Sequence, residues 1–362
     1  MIQENETEWH RIENWIEQKH SFVLYREPQQ SICHCLMQRS AVKQFTHISQ
    51  LNGVRGYVFA PFRTDALHPI VLLDPEEQCS FTLKAGQDTP GGIYAEEQPP
   101  SASYSACFAS FIYELRRETF RKLVLSRQTL IKREPSFSSL RAFRAAAQAF
   151  PYSYVYLFFT PETGYWLGCT PEILLSGGEG SYHTVALAGT QKICGDALPQ
   201  HWDEKNRQEQ RYVTDYLLSC LSGCGITAQT NGPYSVRAGA LSHLKTDIHF
   251  SLPPEGGLGD LLHLLHPTPA VCGLPKTEAY QFIGAHEAES RAYYAGFLGW
   301  LDASDRSDLY VNLRCMQVLP DCFRLYAGGG ILSTSQMEDE WQETENKMGA
   351  MRYTIMKGYE NR

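Results

Sequence analysis

The sequence has no long apolar run, no excess of basic residues and no signal-peptide pattern. None of its apolar segments approaches the roughly 20 residues that a membrane-spanning helix needs, and it begins with the polar, acidic stretch MIQENETE. The net charge of -8 provides no basic field for nucleic acid. These absences predict a cytoplasmic protein without membrane or nucleic-acid partners, although a local pocket can still bind a small anion.

Cysteine is frequent, but its spacing does not indicate disulfides or a zinc site. The 11 cysteines are an odd number scattered over 362 residues. Cys33 and Cys35, like Cys220 and Cys224, lack a second pair at zinc-site spacing. We interpret them as free thiols in a reducing compartment.

The order of predicted helices and strands indicates an α+β protein. Long strands are mixed with helices without regular βα alternation, which favours a single large domain with an extended, mostly antiparallel β-sheet core flanked by helices. A segment rich in Gly, Pro and Gln, residues 86–103, is the best boundary between an N-terminal part, 1–100, and the remainder, 101–362. Strands are predicted at 122–127, at 152–160, 164–168 and 173–175 as one meander, and at 295–301, 309–318 and 323–326.

A glycine run and a pair of glutamates near the C-terminus suggest a metal site. The run AGGGI, residues 327–331, reads as a turn whose backbone can approach an anion closely. On a following helix, Glu340, Glu343 and Lys347 would share one face. Because neighbouring carboxylates repel each other, a fold that keeps them together usually holds a cation between them. A hard metal such as Mg²⁺ suits these oxygen ligands.

Further segments match one known family in order. They read KLVLSR (122–127), LGCTPEILL (167–175), ALAGT (186–190), EKNRQEQ (204–210), SHL (242–244), HPTPAVCGLPK (266–276), YYAG (293–296) and VNLR (311–314). With the C-terminal glycines and glutamates, this series resembles the chorismate-utilising enzymes, which include isochorismate, salicylate and anthranilate synthases and aminodeoxychorismate synthase. The resemblance covers roughly residues 105–355. It implies the fold of anthranilate synthase component I and chorismate as the substrate.

The resemblance implies an acid–base pair. Lys122 would activate water for attack at C2 of chorismate, and an apolar neighbourhood would suit the lysine to act as a base. Glu172 would protonate the C4 hydroxyl as it leaves, which a carboxyl group with a raised pKa can do. The ring double bonds shift, and isochorismate results.

The resemblance also recasts the glutamates as a magnesium site built from two helices. Glu209 and Glu343 would bind the Mg²⁺, with Glu340 supporting them. The metal would hold the ring carboxylate and withdraw electron density from the ring. Lys347 would assist there; the alternative is a surface salt bridge to Glu343, four residues before it.

The remaining implied residues bind the substrate. Arg314, predicted within an apolar strand, would grip the enolpyruvyl carboxylate through its planar fork. Tyr294 would assist at that carboxylate, or would simply pack in the core. The glycine run would form one wall of the pocket. The full set of substrate-binding candidates is Gly189, Thr190, His243, Tyr294, Arg314, Gly328, Gly329, Gly330 and Lys347.

Three positions indicate which member of the family the chain resembles. Anthranilate-type enzymes usually have Gln in place of Lys122, so the lysine favours water over ammonia. Ala188 stands where aminodeoxychorismate synthases often carry a nucleophilic lysine. Ala270 to Gly273 differs from the Thr-Val-Ser-Gly of many lyase members. We therefore expect an isochorismate synthase, acting as a monomer in menaquinone biosynthesis. The alternatives are salicylate synthase, a siderophore-pathway isochorismate synthase and a non-catalytic chorismate-binding protein.

Two residues beside Glu209 depart from the family pattern. Asn206 replaces a common acidic residue, and Gln210 replaces the usual histidine. Because residue 206 would share a helical face with Glu209, the sequence predicts that one supporting charge is missing and that Mg²⁺ affinity is weaker.

Overall fold

The structure is a computed structural model that describes residues 2–83, 99–193, 197–238, 241–252 and 257–360. In these residues the strands form two nine-stranded sheets, and the recorded strand pairings are antiparallel. Sheet I has the spatial order β14 (Gly273–Leu274), β7 (Lys122–Lys132), β18 (Cys322–Ile331), β17 (Cys315–Val318), β9 (Gly164–Thr170), β8 (Tyr154–Thr160), β1 (Ser21–Arg26), β2 (Ile32–Gln38) and β6 (Glu77–Thr82). Sheet II has the order β12 (Ala228–Ala238), β13 (Leu241–Ser251), β11 (Ser181–Lys192), β10 (Ile173–Gly178), β16 (Arg306–Val311), β15 (Phe297–Asp302), β4 (Arg55–Ala60), β5 (Ile70–Leu73) and β3 (Lys43–Phe45).

Helices flank the two sheets. The helices of the described residues are α1 (Ile2–Glu17), α2 (Ala102–Arg116), α3 (Ser139–Ala149), α4 (Glu204–Gly223), α5 (Leu258–Leu265), α6 (Lys276–His286) and α7 (Met337–Tyr359), with a 3₁₀ helix at Ile48–Leu51. Antiparallel sheets with flanking helices confirm the predicted α+β class. The predicted sheet, however, is in fact two sheets.

Strand β8 shows why sheet I is buried on both faces. Because successive side chains of a strand point to opposite faces, Tyr154 and Phe158 join the core that contains residues of both sheets. Their neighbours Val155 and Leu157 join a second core with residues of α1, α3 and α7. The sequence of β8 is accordingly apolar throughout rather than alternating with polar residues.

Two predicted strand arrangements are wrong at the places where the chain crosses between sheets. β8 and β9 pair in sheet I, but β10 belongs to sheet II, so residues 152–175 do not form one meander. Pro171 lies between β9 and β10 and has no amide hydrogen to donate to a ladder. Likewise, the predicted strand 309–318 is divided into β16 in sheet II and β17 in sheet I.

The two crossovers are hydrogen-bonded to each other. The hydroxyl of Thr170 donates to the carbonyl of Val311 at 2.5 Å, and the amide of Val311 donates to the carbonyl of Glu172 at 2.9 Å. The amide of Cys169 donates to the carbonyl of Arg314 at 3.1 Å. Arg314 is therefore in a crossover rather than in a strand, and its φ of 47° is left-handed.

The glycine run is also placed differently from the prediction. Gly328, Gly329 and Gly330 lie in β18, opposite Ser126, Leu125 and Val124 of β7. The prediction of a turn is therefore wrong, because these residues belong to a sheet ladder.

The predicted boundary segment falls largely on residues 84–98, which lie outside the described residues, so the division at residue 100 stays a prediction. Strands on both sides of it belong to the same two sheets. Among the helices of the described ranges, none combines the length and apolar character needed to cross a membrane.

Candidate active site

One cavity lies beside the two crossovers, next to β18, α4 and α7. It collects most of the predicted site residues from distant parts of the chain. Those that line it are Glu172, Gly189, Thr190, Glu209, His243, Tyr294, Arg314, Gly328, Gly330 and Lys347. The remaining candidates, Lys122, Gly329, Glu340 and Glu343, are connected to it through contacts described below.

Glu172 is a buried carboxyl group at the first crossover. Only 3% of the residue is exposed, and burial raises its pKa to about 8, against the opposing effects of Lys122, Lys347 and Arg314. A carboxyl group in this state holds its proton at neutral pH and can deliver it to a leaving group. This environment agrees with the acid role predicted for Glu172.

Lys122 is the first residue of β7 and is completely buried. Its Nζ lies 3.0 Å from Oε1 of Glu209 on α4. The interaction with Lys122 helps to lower the pKa of Glu209. Lys122 is therefore buried directly against a carboxylate of α4.

Glu209 is held in its charged form by the surrounding lysines. Burial alone would raise its pKa, but Lys122, Lys205 and Lys347 together lower it below the ordinary value. The predicted metal ligand is thus an ionised carboxylate at the cavity wall.

The two glutamates of α7 occupy different environments. Glu340 is 1% exposed and forms an ion pair with Lys205 of α4, while its second oxygen, Oε2, has no hydrogen-bond partner in the described residues. Burial and then the charge of Glu343 raise the pKa of Glu340 to about 7, against the pull of Lys205. Glu343 is less buried and accepts a hydrogen bond of 2.7 Å from Lys347.

Lys347 forms the salt bridge that the sequence left open and also reaches the cavity. Its Nζ pairs with Glu343 in the i,i+4 arrangement and also donates to the carbonyl of Gly328 at 2.9 Å. The lysine lines the cavity, so the salt bridge belongs to the site wall rather than to an open surface.

The glycines of β18 leave space for carboxylates. A Cβ atom on Gly330 would lie 2.1 Å from Oε1 of Glu209, and one on Gly329 would lie 3.2 Å from Oε2 of Glu340 and 3.8 Å from Oε1 of Glu343. Carbon cannot approach oxygen at the first of these distances. The glycines therefore bring the strand close to the acidic side chains of α4 and α7.

Arg314, His243 and Gly189 form a hydrogen-bonded chain. Nη2 of Arg314 lies 2.7 Å from Nε2 of His243, and Nδ1 of His243 lies 2.9 Å from the carbonyl oxygen of Gly189. Since guanidinium is only a donor and a carbonyl only an acceptor, these partners assign the proton to Nδ1. Burial, then Arg314 and Lys347, lower the pKa of His243 well below its ordinary value, so the imidazole is neutral.

Tyr294 lies between core and pocket. It is buried and stacked on Tyr326 with 5.5 Å between ring centroids, yet it lines the cavity. A Cβ atom on Gly328 would lie 2.9 Å from its hydroxyl. Packing and pocket lining, posed as alternatives, therefore apply together.

The sequence interpretation missed two polar residues and the apolar lining. Lys205, four positions before Glu209 on α4, is the partner of Glu340; this helical spacing was a usable signal. Asn312 is fully buried in the second crossover, where it accepts from the hydroxyl of Tyr156 at 2.6 Å and donates to the carbonyl of Tyr293 at 2.9 Å. The apolar lining comprises Val124, Leu187, Ala270, Val271 and Leu313.

The two residues that depart from the family pattern are hydrogen-bonded to neighbouring elements of the fold. Asn206 bonds to the backbone of Thr190. Gln210 donates to the hydroxyls of Thr246 and Thr214 at 2.6 and 2.9 Å. Within the described ranges, no three His, Cys, Asp or Glu side chains gather closely enough to hold a metal ion by themselves.

The cavity thus combines a buried carboxyl group, Glu172, with the basic side chains of Arg314 and Lys347, and the buried Lys122 lies against its Glu209. In a comparison with known families, the sequence model of the family described as "Chorismate binding enzyme" matches residues 73–356. The chain belongs to this family.

Individual relatives support the family assignment. The chain is 36% identical over 198 residues to the salicylate biosynthesis isochorismate synthase of Pseudomonas aeruginosa, covering 52% of this chain and 42% of the relative. It is 35% identical over 204 residues to isochorismate synthase MenF of Escherichia coli, covering 54% and 47%. The aligned part thus spans about half the length of these relatives.

A solved structure shares the fold over nearly the whole chain. The menaquinone-specific isochorismate synthase MenF of Escherichia coli superposes with a TM-score of 0.75 at 23% sequence identity, covering 93% of this chain and 89% of that one.

Proposed function

We propose that the protein is an isochorismate synthase, which converts chorismate to isochorismate. The observation that carries the proposal is that Glu172, a buried carboxyl group whose pKa is raised to about 8, lines a cavity together with Arg314, Lys347 and Glu209, and that the buried Lys122 contacts Glu209 behind the cavity wall. The aligned relatives from Pseudomonas aeruginosa and Escherichia coli carry the same activity in their names.

In the proposed reaction, Lys122 acts as a neutral amine and accepts a proton from water as the water oxygen forms a bond to C2 of the ring. The ring double bonds shift, and the bond between C4 and its hydroxyl oxygen breaks. Glu172 donates its proton to the departing hydroxyl, which leaves as water. The raised pKa of Glu172 supports this role, because the carboxyl group is protonated before the reaction begins.

Arg314 and Tyr294 hold the substrate in this scheme. The guanidinium of Arg314 is fixed on one side by His243, and its planar fork suits the enolpyruvyl carboxylate. The hydroxyl of Tyr294 assists at the same carboxylate. The apolar lining excludes water from the remaining cavity surface.

The acidic residues fit a magnesium ion. Oε2 of Glu340 is a buried acceptor without a hydrogen-bond partner among the described residues, and Gly329 lies against both Glu340 and Glu343. Glu209 and Glu343, with Glu340 in support, would hold the ion. Mg²⁺ usually takes one or two protein carboxylates and completes its shell with water and substrate, so the lack of a three-ligand cluster in the described part of the chain is compatible with it. When bound, Mg²⁺ would neutralise the ring carboxylate and polarise the ring.

We propose that the product enters menaquinone biosynthesis; the support for this is the 35% sequence identity to isochorismate synthase MenF of Escherichia coli, an enzyme described as menaquinone-specific. The relative from Pseudomonas aeruginosa is named for salicylate biosynthesis, so salicylate synthase is the second candidate. The sequence beside the pocket favours isochorismate synthase over salicylate synthase. Many lyase members carry different residues at the positions of Ala270, Val271 and Cys272.

One assay tests both candidates. Purified protein is incubated with chorismate, with Mg²⁺ and with excess chelator in parallel, and isochorismate, salicylate and pyruvate are resolved by chromatography. We expect isochorismate in the presence of Mg²⁺ alone. If pyruvate forms in an amount equal to the chorismate consumed, the protein is a salicylate synthase. If no product forms, the proposal that the protein is an enzyme acting on chorismate is wrong.

A further inference from the structure

The register of sheet II is broken beside the pocket. Ala188 of β11 pairs with Leu244 of β13, and Gln191 pairs with Ser242. Two residues of β11, Gly189 and Thr190, therefore face one residue of β13, which is a β-bulge. A bulge removes backbone groups from the ladder, and those groups need other partners.

Asn206 provides one of these partners. Its Oδ1 accepts the amide hydrogen of Thr190 at 2.9 Å, while the carbonyl of Gly189 accepts from His243. Gly189 has a φ of +76°, and a Cβ atom there would lie 3.1 Å from Oδ1 of Asn206. The bulge is therefore packed directly on the first turn of α4.

The other end of the Asn206 amide is fixed by Asp203, the residue that caps α4. Nδ2 of Asn206 donates to Oδ2 of Asp203 at 2.7 Å, and Oδ1 of Asp203 accepts the backbone amide of Asn206 at 2.8 Å. A continuous set of hydrogen bonds thus connects the helix cap, through Asn206 and the bulge, to His243 and Arg314.

We propose that Asn206 is a positioning residue for the substrate-binding bulge and, through His243, for Arg314. The inference deepens the proposed function and rests on it. The sequence alone suggested that Asn206 leaves the metal site without one supporting charge. In the structure, both the oxygen and the nitrogen of its side-chain amide bond to groups other than Glu209, namely the amide of Thr190 and the carboxylate of Asp203. The effect of Asn206 is on chorismate binding and not on Mg²⁺ affinity.

The side chain of Asn206 accepts one hydrogen bond, from Thr190, and donates another, to Asp203. This difference in direction provides a test. In N206D, a carboxylate can still accept from Thr190, but its second oxygen faces the carboxylate of Asp203 and the two repel each other. In the double variant D203N/N206D, the new asparagine side chain can cap α4 and donate to the new carboxylate at position 206. The side-chain hydrogen bond between positions 203 and 206 then returns with donor and acceptor exchanged, the contacts with the backbone amides keep their direction, and the net charge is unchanged.

The experiment measures the KM and kcat for chorismate, the dissociation constant of chorismate by calorimetry, and the Mg²⁺ concentration for half-maximal activity. We expect N206D to raise KM and the dissociation constant about tenfold, the effect of losing roughly one charged hydrogen bond, with a smaller change in kcat. The double variant should recover most of the loss. Q208E, which adds the same charge at an exposed position of α4, should resemble the wild type.

Two results would overturn the inference. One is an unchanged chorismate affinity in N206D together with a shifted Mg²⁺ requirement, which would return Asn206 to the metal site. The other is a double variant as defective as N206D although its thermal unfolding matches that of the wild type. If the wild type forms no isochorismate, the proposed function fails, while the calorimetric comparison still tests the role of Asn206.

Discussion

Nζ of Lys122 and Oε1 of Glu209 lie 3.0 Å apart, although one begins a strand of sheet I and the other lies on α4. The proposed base and a proposed metal ligand are thus immediate neighbours. Replacing one changes the charge balance of the other, so their variants have to be interpreted by separate measurements of binding and turnover.

The variant K122A should lose turnover and keep chorismate binding. Removal of a positioned base commonly costs a factor of about 10²–10⁴ in rate, whereas the carboxylate-binding Arg314 is untouched. Stopped assays of isochorismate formation, with calorimetry for binding, measure the two effects. K132A is the matched control, because Lys132 ends the same strand in an exposed ion pair with Glu134. Equal turnover in K122A and K132A would remove Lys122 from the mechanism.

The rate of the wild-type enzyme should fall as pH rises through about 8. Burial raises the pKa of Glu172 to about 8, and only the protonated carboxyl group can act as the acid. E172Q should lose turnover at every pH while it still binds chorismate. A wild-type rate that stays constant from pH 7 to 10 would contradict this assignment.

The carboxyl group of Glu172 should also make the free energy of unfolding depend on pH. Because its pKa is higher in the folded protein than the ordinary 4.5, the folded state holds a proton that the unfolded state has released. The stabilisation is complete below the ordinary pKa and is lost as pH rises through about 8. Urea unfolding of wild type and E172Q from pH 4 to 9 measures it, and the stability of E172Q relative to wild type should increase across that window.

Substitution of Gly330 by alanine should disable the site. The added methyl group would meet Oε1 of Glu209 at 2.1 Å and Cε of Lys122 at 3.1 Å, so both side chains have to move. A displacement of this size can cost about 10²-fold in kcat/KM. G223A at the end of α4 is the control, since a Cβ atom there meets nothing within 4 Å. Full activity of G330A would show that the acidic side chains do not need this glycine.

The buried ion pair of Arg291 and Glu287 should stabilise the folded protein at the wall of the cavity. Arg291 contacts Glu287 at 2.6 Å and donates to the carbonyls of Val271 and Val124, both at the cavity wall. R291A removes the charged partner of Glu287 and leaves that buried carboxylate with the backbone amide of Ser126, at a cost of up to about 3–5 kcal/mol. Urea unfolding at pH 7 measures this loss. K132A, which breaks an exposed pair, should unfold like the wild type; an equally stable R291A would contradict the assignment.

Local patterns in the sequence were sufficient for the elements that carry the acidic residues. The helical spacing of Glu340, Glu343 and Lys347 is confirmed by α7, and the predicted helix around Glu209 is confirmed by α4. In both cases the pattern is complete within a few turns of one helix, so no distant partner is needed to recognise it.

Local sequence patterns could not predict which of the two sheets a strand belongs to. The strands before and after Pro171 were predicted as parts of one meander, and residues 309–318 as one strand, but pairing with distant strands places the two parts of each in different sheets. The run of three glycines was equally ambiguous, since both a turn and a strand pressed against carboxylates require a missing side chain. The partners of Lys205 and Asn206, which are Glu340 and Thr190, lie on other elements, so only the fold identifies these two contacts.

The paired crossovers have a mechanical consequence. Glu172 and Arg314 are attached to two backbone segments that are hydrogen-bonded to each other where the chain passes from one sheet to the other. Their separation is therefore set by backbone geometry and not by side-chain contacts. A substitution at one of the two residues that leaves its backbone in place should leave the position of the other unchanged.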